Sequence, residues 1–298
     1  MKKITALLIA LLVALSFVAD TQAKRTAQRQ RTQPTERTSR STSTSVSTSR
    51  SSGGQDRPGS VRQSMTYSGP GGLKITNHTW VDVDIYWTKD DRVKVEVCGD
   101  QDLLDYIGVS LSDGHLQIMN VGGENYQATY AMKRQKGQVR VYCNYLNAIR
   151  LFGSGNINAD RVDCTSLQLA TYGAGDIVLG SLDSTSLRII TQGAGDVRIG
   201  TADTTAVYVL VQGAGDVRIG SADCTSLELI NQGAGNIEVR DIDATTVKAM
   251  NQGVGNILIR GDATSGNITV QGVGNIDISG FKAGRCSTLN QGLGEIKN

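Results

Sequence analysis

Apolar and polar positions alternate with an unusual regularity over the second half of the chain. Ile157, Ile177, Val197, Val217, Ile237, Ile257, Ile276 and Ile296 recur at a fixed place. Two residues further on stand Ala159, Leu179, Ile199, Ile219, Val239, Ile259 and Ile278, with a mixed column between them. Apolar, mixed, apolar is the period of a strand with one buried face. A second alternating run carries Leu167, Leu187, Val207, Leu227 and Val247, followed by Leu169, Ile189, Val209, Leu229, Ala249 and Ile268. The runs are punctuated by Gly-x-Gly followed by Asn, Asp or Glu, starting at Gly153, Gly173, Gly193, Gly213, Gly233, Gly253, Gly272 and Gly292. The step is 20 residues, with one step of 19 between Gly253 and Gly272. Each unit is expected to be two short strands joined by two turns. The turn glycines are expected to supply backbone angles that side chains resist.

A unit this short cannot bury its own apolar face and must stack on its neighbours, each rung adding about 4.8 Å. The pattern therefore predicts an all-β fold: a single-stranded right-handed β-helix, or solenoid, of 20-residue rungs. Gln192, Gln212, Gln232, Gln252, Gln271 and Gln291 precede the turn glycines and predict an amide ladder. Asp163, Asp183, Asp203, Asp223, Asp243 and Asp262, each followed two residues on by Thr, predict the second turn.

Residues 66–150 do not repeat. Val81–Trp87, Val93–Val97, Leu111–Met119 and Val139–Leu146 read as strands, and Gln101–Val109 as one or two helical turns. Both Trp and seven of the nine Tyr lie here, as expected of a β-rich half that caps the end of a solenoid with bulky side chains. A ligand platform is the other use of outward aromatics. Trp80 and Tyr86 share the strand parity of Asp82 and Asp84, so they are the candidate ligand-binding residues.

Composition changes the picture at the N-terminus. Lys2 and Lys3, an apolar run from Ile4 to Ala19 and small residues up to Ala23 form a secretory signal peptide, residues 1–23; the run is too short to span a bilayer. No cysteine near the cleavage site suggests a lipid anchor. Residues 24–65 are Ser, Thr, Arg and Gln with nine basic residues against Glu36 and Asp56, a net +7, and are expected to be a disordered spacer. The whole chain totals +2, so residues 66–298 carry −6 once Lys2, Lys3 and Asp20 are counted. In an exported chain such a segment is not expected to meet nucleic acid. Anionic surface polymers or the chain's own acidic domain are the expected partners, if it is more than a spacer.

Chemistry is sparse. Gly193-Ala194-Gly195 lacks the third glycine and the following helix of a dinucleotide loop. Calcium-binding β-rolls have a nine-residue period and differently placed acids, so neither metal nor cofactor is expected. Arg198, Arg218 and Glu238 could imitate a polysaccharide lyase groove, but read more simply as a charge-balanced row. Of five cysteines, Cys164 and Cys224 stand three rungs apart, too far to bridge, Cys286 falls in a core column, and Cys98 with Cys143 is the one pair to consider. His78 and His115 belong to no catalytic or metal motif, and no catalytic residue is assigned.

Several segments are similar to a known family: the Gly-Ser-Gly-Asn-Ile and Gly-Ala-Gly-Asp-Val turns, Val-Cys-Gly-Asp-Gln-Asp-Leu-Leu from Val97, Ser-Asp-Gly-His-Leu-Gln-Ile from Ser112, and Leu-Asn-Ala-Ile-Arg-Leu-Phe-Gly-Ser-Gly from Leu146. In this order, over about residues 72–298, they resemble the auto-transporter adhesin head GIN domain, a domain of unknown function found in Bacteroidetes. The resemblance implies a secreted β-helix-like domain with an adhesin role and brings no catalytic motif. The expected function is a non-enzymatic secreted or cell-surface binding module for a surface glycan or an envelope or host protein. A polysaccharide-active enzyme and a structural envelope protein are the alternatives. The expected location is beyond the inner membrane: periplasm, outer-membrane surface or medium. The last rung, residues 281–298, has an open edge that invites a homo-oligomer.

Overall fold

The computed structural model describes residues 49–52, 60–67, 72–100, 106–121 and 137–298, and it is all-β. The expected signal peptide, most of the expected spacer and residues 101–105 of the expected helical turn lie outside the described residues. The strands are β1 (Ser49–Ser52), β2 (Ser60–Tyr67), β3 (Leu73–Asn77), β4 (Asp82–Trp87), β5 (Val93–Asp100), β6 (Ile107–Ser112), β7 (His115–Asn120), β8 (Gln138–Cys143) and β9 (Leu146–Leu151). The rungs follow as β10 (Ile157–Thr171), β11 (Ile177–Thr191), β12 (Val197–Val211), β13 (Val217–Asn231), β14 (Ile237–Asn251), β15 (Ile257–Val270), β16 (Ile276–Asn290) and the short β17 (Ile296–Lys297). β10 to β17 pair in parallel, in sequence order, residue i over residue i−20 except across the 19-residue step. The solenoid is thus as the periodicity predicts.

The rung differs in detail from two strands with two turns. Each is one continuous strand of 14 or 15 residues. In β12 the order of buried and exposed residues is strict except at two places, Gly200-Thr201 and Thr205-Ala206, where consecutive residues face away from the core. Residue pairing also skips Gly200 and Thr205. Two outward residues in a row mark a corner, because the chain must bend to bring its next residue inward. A rung therefore has three flat sides, and the Gly-x-Gly turn closes the third corner. The Asp column lies within the middle side, in register from Asp163 to Asp262, and is not a turn. Inside, the Ile, Leu and Val columns are almost fully buried, as at Ile177, Val197, Leu229 and Ile257, each 0% exposed.

The turn glycines have a different cause from the one expected. None of them has a positive φ; among the described glycines only Gly114 and Gly261 do. What they share is closeness to the rung below. A Cβ on Gly193 would lie 2.1 Å from the Gly173 oxygen, and one on Gly195 would lie 1.9 Å from the Gly175 oxygen. The 19-residue step is absorbed at a corner, where Gly261 (φ 112°) pairs with Ile242 and Asp241 has no counterpart.

The first half lays down the template on which the rungs stack. β4 pairs with the first side of β10, Val83 beside Ile157, and β9 with its third side, Ile149 beside Leu169. β3 runs parallel to β9, so β3, the bend at residues 78–81 and β4 form a turn one layer ahead of Gly153. In that layer Thr79 and Val81 stand where every later layer has glycine. Later glycines are forced by the backbone of the preceding layer, such as the Thr79 carbonyl under Gly153; ahead of this layer the strand is β7, which pairs with β3 as far as Asn77 and Ile118. β8 joins β4 to the antiparallel β5. The segment Leu111–Met119 is not one strand but the β6–β7 hairpin, turned by Asp113 (φ 49°) and Gly114 (φ 70°), as Asp-Gly favours. Val139–Leu146 is likewise split, between β8 and β9.

β1 and β2 fall inside the segment expected to be without structure. β2 pairs antiparallel with β5, and β1 with β2. The edge of β5 supplies backbone donors and acceptors that a polar strand can satisfy without an apolar face. At the other end β17 covers only Ile276 and Asp277, and among the described residues the rest of β16 has no strand on its outer edge. That is why Cys286, although in a core column beside Gly266, is exposed.

All five cysteines are free thiols. Cys98 pairs with Gln138 across β5–β8, and Cys143 lies five residues further along β8, about 17 Å away. That exceeds the roughly 7 Å a disulfide tolerates. Burial pushes the Cys143 thiol up to about 12, and burial with the adjoining aspartates pushes Cys164 and Cys224 up to about 11. Alkylation needs the thiolate, so at pH 8 about a thousandth or less of these three is reactive. Brief iodoacetamide treatment of the folded protein is expected to label Cys286 ahead of Cys143, Cys164 and Cys224, as peptide mass spectrometry would show. Equal labelling of Cys224 would contradict the packing.

Candidate binding site

The residue before each turn glycine builds one continuous column on the outside of the solenoid. From the far end it is a ladder of side-chain amides: Gln192 to Gln212, to Gln232, to Gln252, to Gln271 and to Gln291, at 2.8–3.1 Å. Toward the capping half the same column turns aromatic. His78 stacks on Phe152 and Phe152 on Tyr172, with ring centroids 4.6 Å apart in both cases and interplanar angles of 10° and 11°. Offset or parallel ring pairs contribute about 0.5–1.5 kcal/mol each beyond burial. Phe152 and Tyr172 remain 43% and 39% exposed.

Trp80 occupies the tip of the first turn, the place held by Ser154 and Ala174 in the next layers, and is partly buried against the core. It lines a cavity of about 430 Å³ with His78, Thr79, Asn120, Phe152, Gly153, Ser154 and Ala174. Asn120, at the end of β7, carries a buried Oδ1 with no hydrogen-bond partner among the described residues. A buried acceptor left unsatisfied costs about 1–3 kcal/mol, but this oxygen is closed off from solvent and is not itself a surface of the cavity, whose walls are the aromatic rings and the turn residues.

Tyr86 is elsewhere. It points outward from β4, 40% exposed, and stacks on Tyr142 at 5.1 Å, with Lys94 over the far partner ring at 5.4 Å. The Tyr142 hydroxyl donates to Glu96 at 3.3 Å. Tyr86 is not among the walls of the Trp80 cavity, so the two candidates do not form one platform. Sequence reasoning missed His78, Phe152 and Asn120. The signal for Phe152 and Tyr172 was present, since both sit in the glutamine column. Nothing marked Asn120.

The acids of the turns serve the fold. Each Asn or Asp after Gly-x-Gly accepts the backbone N–H of its successor one rung on: Asp82 from Asn156, Asn156 from Asp176, Asp176 from Asp196, Asp196 from Asp216, and so on to Asn275 from Glu295, at 2.7–3.0 Å. Arg198 lies between Asp176 (2.6 Å) and Asp196 (2.7 Å), and Arg218 between Asp196 (3.3 Å) and Asp216 (2.6 Å), with Glu238 3.5 Å from its Nε. Hydrogen bonding to Asp176 raises the Arg198 guanidinium above its ordinary value. This is the balanced row expected from the sequence. His115 is engaged by Thr76 Oγ1 at 2.9 Å, and burial with nearby Arg150 and Lys74 lowers its pKa.

Residues 74–223 and 211–297 match the family described as "Putative auto-transporter adhesin, head GIN domain". The chain belongs to this family. Solved structures share the GIN-domain fold. One, a "putative lipid binding protein" from Parabacteroides distasonis, is 16% identical with a TM-score of 0.66, covering 79% of this chain and 96% of its own. A "putative adhesin" from Bacteroides fragilis is 22% identical with a TM-score of 0.56, covering 80% and 96%. Another from Parabacteroides merdae is 14% identical with a TM-score of 0.60, covering 80% and 96%. No curated protein matches the GIN chain.

Proposed function

We propose that this GIN protein is a non-enzymatic, exported binding module of the adhesin type, whose ligand is a glycan held at the Trp80 cavity at the head of the solenoid. The observation that carries the reading is the meeting, in one opening, of aromatic walls from Trp80, His78 and Phe152 with the polar side chains of Thr79, Ser154 and Asn120. Sugars offer both an apolar C–H face and hydroxyl donors, and sites of this mixed lining hold small ligands by the first while orienting them by the second. Family membership supports an adhesin-type role. An enzymatic reading gains little, because the repeated acids and arginines are bound to one another and to backbone amides.

A broad glycan array probed with the purified chain, with and without calcium, tests the proposal. Saturable binding independent of calcium is expected, lost in Trp80→Ala and kept in Tyr86→Ala. Loss with Tyr86→Ala alone would move the site to the β4–β8 face. No binding to any glycan would sink the glycan reading.

A further inference from the structure

The outward columns of the solenoid carry its charges, except along one strip. Arg188, Glu228 and Lys248 stand in one column of the third side, and Asp176, Asp196 and Asp216 in the column that follows the turn. Between them run three adjacent columns: the second residue before each glutamine, the glutamines themselves, and the turn tips. From Ala170, Tyr172 and Ala174 to Leu289, Gln291 and Leu293 no residue of these columns is charged. The first of them is apolar although it faces out. Ile190, Leu210, Ile230 and Met250 alternate with the buried core column and stay partly exposed. The tip column ends in Val254, Val273 and Leu293, all exposed. At strand and rung spacings the strip is about 14 Å wide and about 29 Å long.

The glutamine ladder lies between the two apolar columns. Each Nε2 donates one N–H to the next Oε1. A side-chain amide has two N–H donors and two lone pairs, so each inner glutamine keeps one donor and one acceptor for a ligand. The ladder also holds these side chains still. Immobilising rotamer-rich side chains weakens binding, and here the fold has done it beforehand. A strip without charge is stripped of water more easily than a charged one. The ligand it fits is neutral, sets apolar faces beside hydroxyls, and repeats at about the rung spacing. An extended peptide advances about 3.4 Å per residue and loses step with rungs about 4.8 Å apart. A pyranose unit of an extended β-linked chain is close to one rung in length and offers C–H faces and hydroxyls together. The acidic balance of residues 66–298 works against an anionic polymer.

We propose that this strip is a track for a neutral, unbranched, β-linked polysaccharide that runs along the solenoid axis from the Trp80 cavity. The proposal rests on the reading of that cavity as a glycan site and names the class of glycan. The columns lead to the cavity without a break. The tips continue through Ala174 and Ser154 into its wall, and the glutamines through Tyr172 to Phe152. The cavity holds one end of the chain, and each rung beyond it receives about one further unit. Affinity therefore grows with chain length until about six rungs are covered.

Calorimetric titration of the full chain with cello-, manno- and N-acetylchito-oligosaccharides, each two and six units long, tests this. In at least one series the six-unit oligomer is expected to bind about tenfold or more tighter than the two-unit one. The variant Ile190→Thr/Leu210→Thr/Ile230→Thr is expected to bring the longer oligomer down to the affinity of the shorter, which stays unchanged. Thr269 already stands in this column, so the fold accepts threonine there. Gln212→Ala/Gln232→Ala breaks the ladder instead and is expected to act in the same way. Trp80→Ala is expected to weaken both lengths together, which separates the cavity from the track. Equal affinity for both lengths in every series, binding of none of them, or length dependence that survives both strip variants would each overturn the proposal. So would a concentration-dependent dimer in sedimentation that the threonine variant dissociates, since a second copy would then cover the strip. In each of those cases, binding of another glycan on the array that Trp80→Ala abolishes would leave the cavity reading standing.

Discussion

Replacing Gly195, a buried residue of a turn, by alanine is expected to destabilise the protein by about 3 kcal/mol. A Cβ there would stand 1.9 Å from the Gly175 oxygen and 2.7 Å from its carbonyl carbon, all backbone and unable to rotate away. Relief requires opening the rung spacing, which would stretch the bonds from Ala194 and Gly195 N–H to the Gly173 carbonyl, 2.9 and 3.2 Å long. Overpacking costs about 1–3 kcal/mol, and each weakened hydrogen bond adds about 1 kcal/mol. Against a total stability of about 5–15 kcal/mol this is large. The neighbour provides the control. Ala194 is an exposed turn tip whose column holds Ala, Val and Leu, so Ala194→Val is expected to stay within about 0.5 kcal/mol. Urea titration followed by circular dichroism reads both. A neutral Gly195→Ala would mean the rungs do not stack this closely.

The second large effect separates two jobs of one side chain. Asp196 Oδ1 accepts the Asp216 N–H at 2.8 Å, while Oδ2 meets Arg198 and Arg218 at 2.7 and 3.3 Å. Asp196→Ala removes all three and leaves a backbone donor without its acceptor, a loss of about 2 kcal/mol. Asp196→Asn keeps the Oδ1 acceptor, as Asn236 and Asn256 do in their layers, and loses only part-exposed ion pairs. It is expected to cost less than about 1 kcal/mol and to lose that cost in high salt. Equal costs for Ala and Asn would show that charge, not the amide ladder, selects this column.

These two positions also show where sequence reading succeeded and where it stopped. The period, the parallel register and the inward columns were legible because every rung repeats the same compromise. The reason for the glycines was not: a glycine forced by backbone contact and one forced by φ look alike in a sequence, and only the stacked neighbour tells them apart. The first layer was invisible because Thr79, Trp80 and Val81 stand where the pattern demands Gly-x-Gly. The corner residues, Gly200-Thr201 and Thr205-Ala206, break alternation without any turn motif, so the Asp column was mistaken for a turn. The candidate cavity was half legible. Trp80 was singled out and Phe152 stood in the glutamine column, but Asn120 comes from β7, which reaches the cavity by non-local pairing with β3. Tyr86 was grouped with Trp80 by parity alone, and the bend before β4 separates them.

The central claim is that the head of the solenoid holds a ligand between the aromatic walls of the Trp80 cavity, and Phe152→Ala tests it most directly. The substitution removes a half-exposed wall together with its stacking on His78 and Tyr172, so stability is expected to fall by about 1–3 kcal/mol while the fold is kept. Calorimetric titration with the best glycan from the array is expected to show affinity reduced about tenfold or more, the loss of one stacking face. Unchanged affinity in the folded variant would contradict the account and remove the Trp80 cavity as the site.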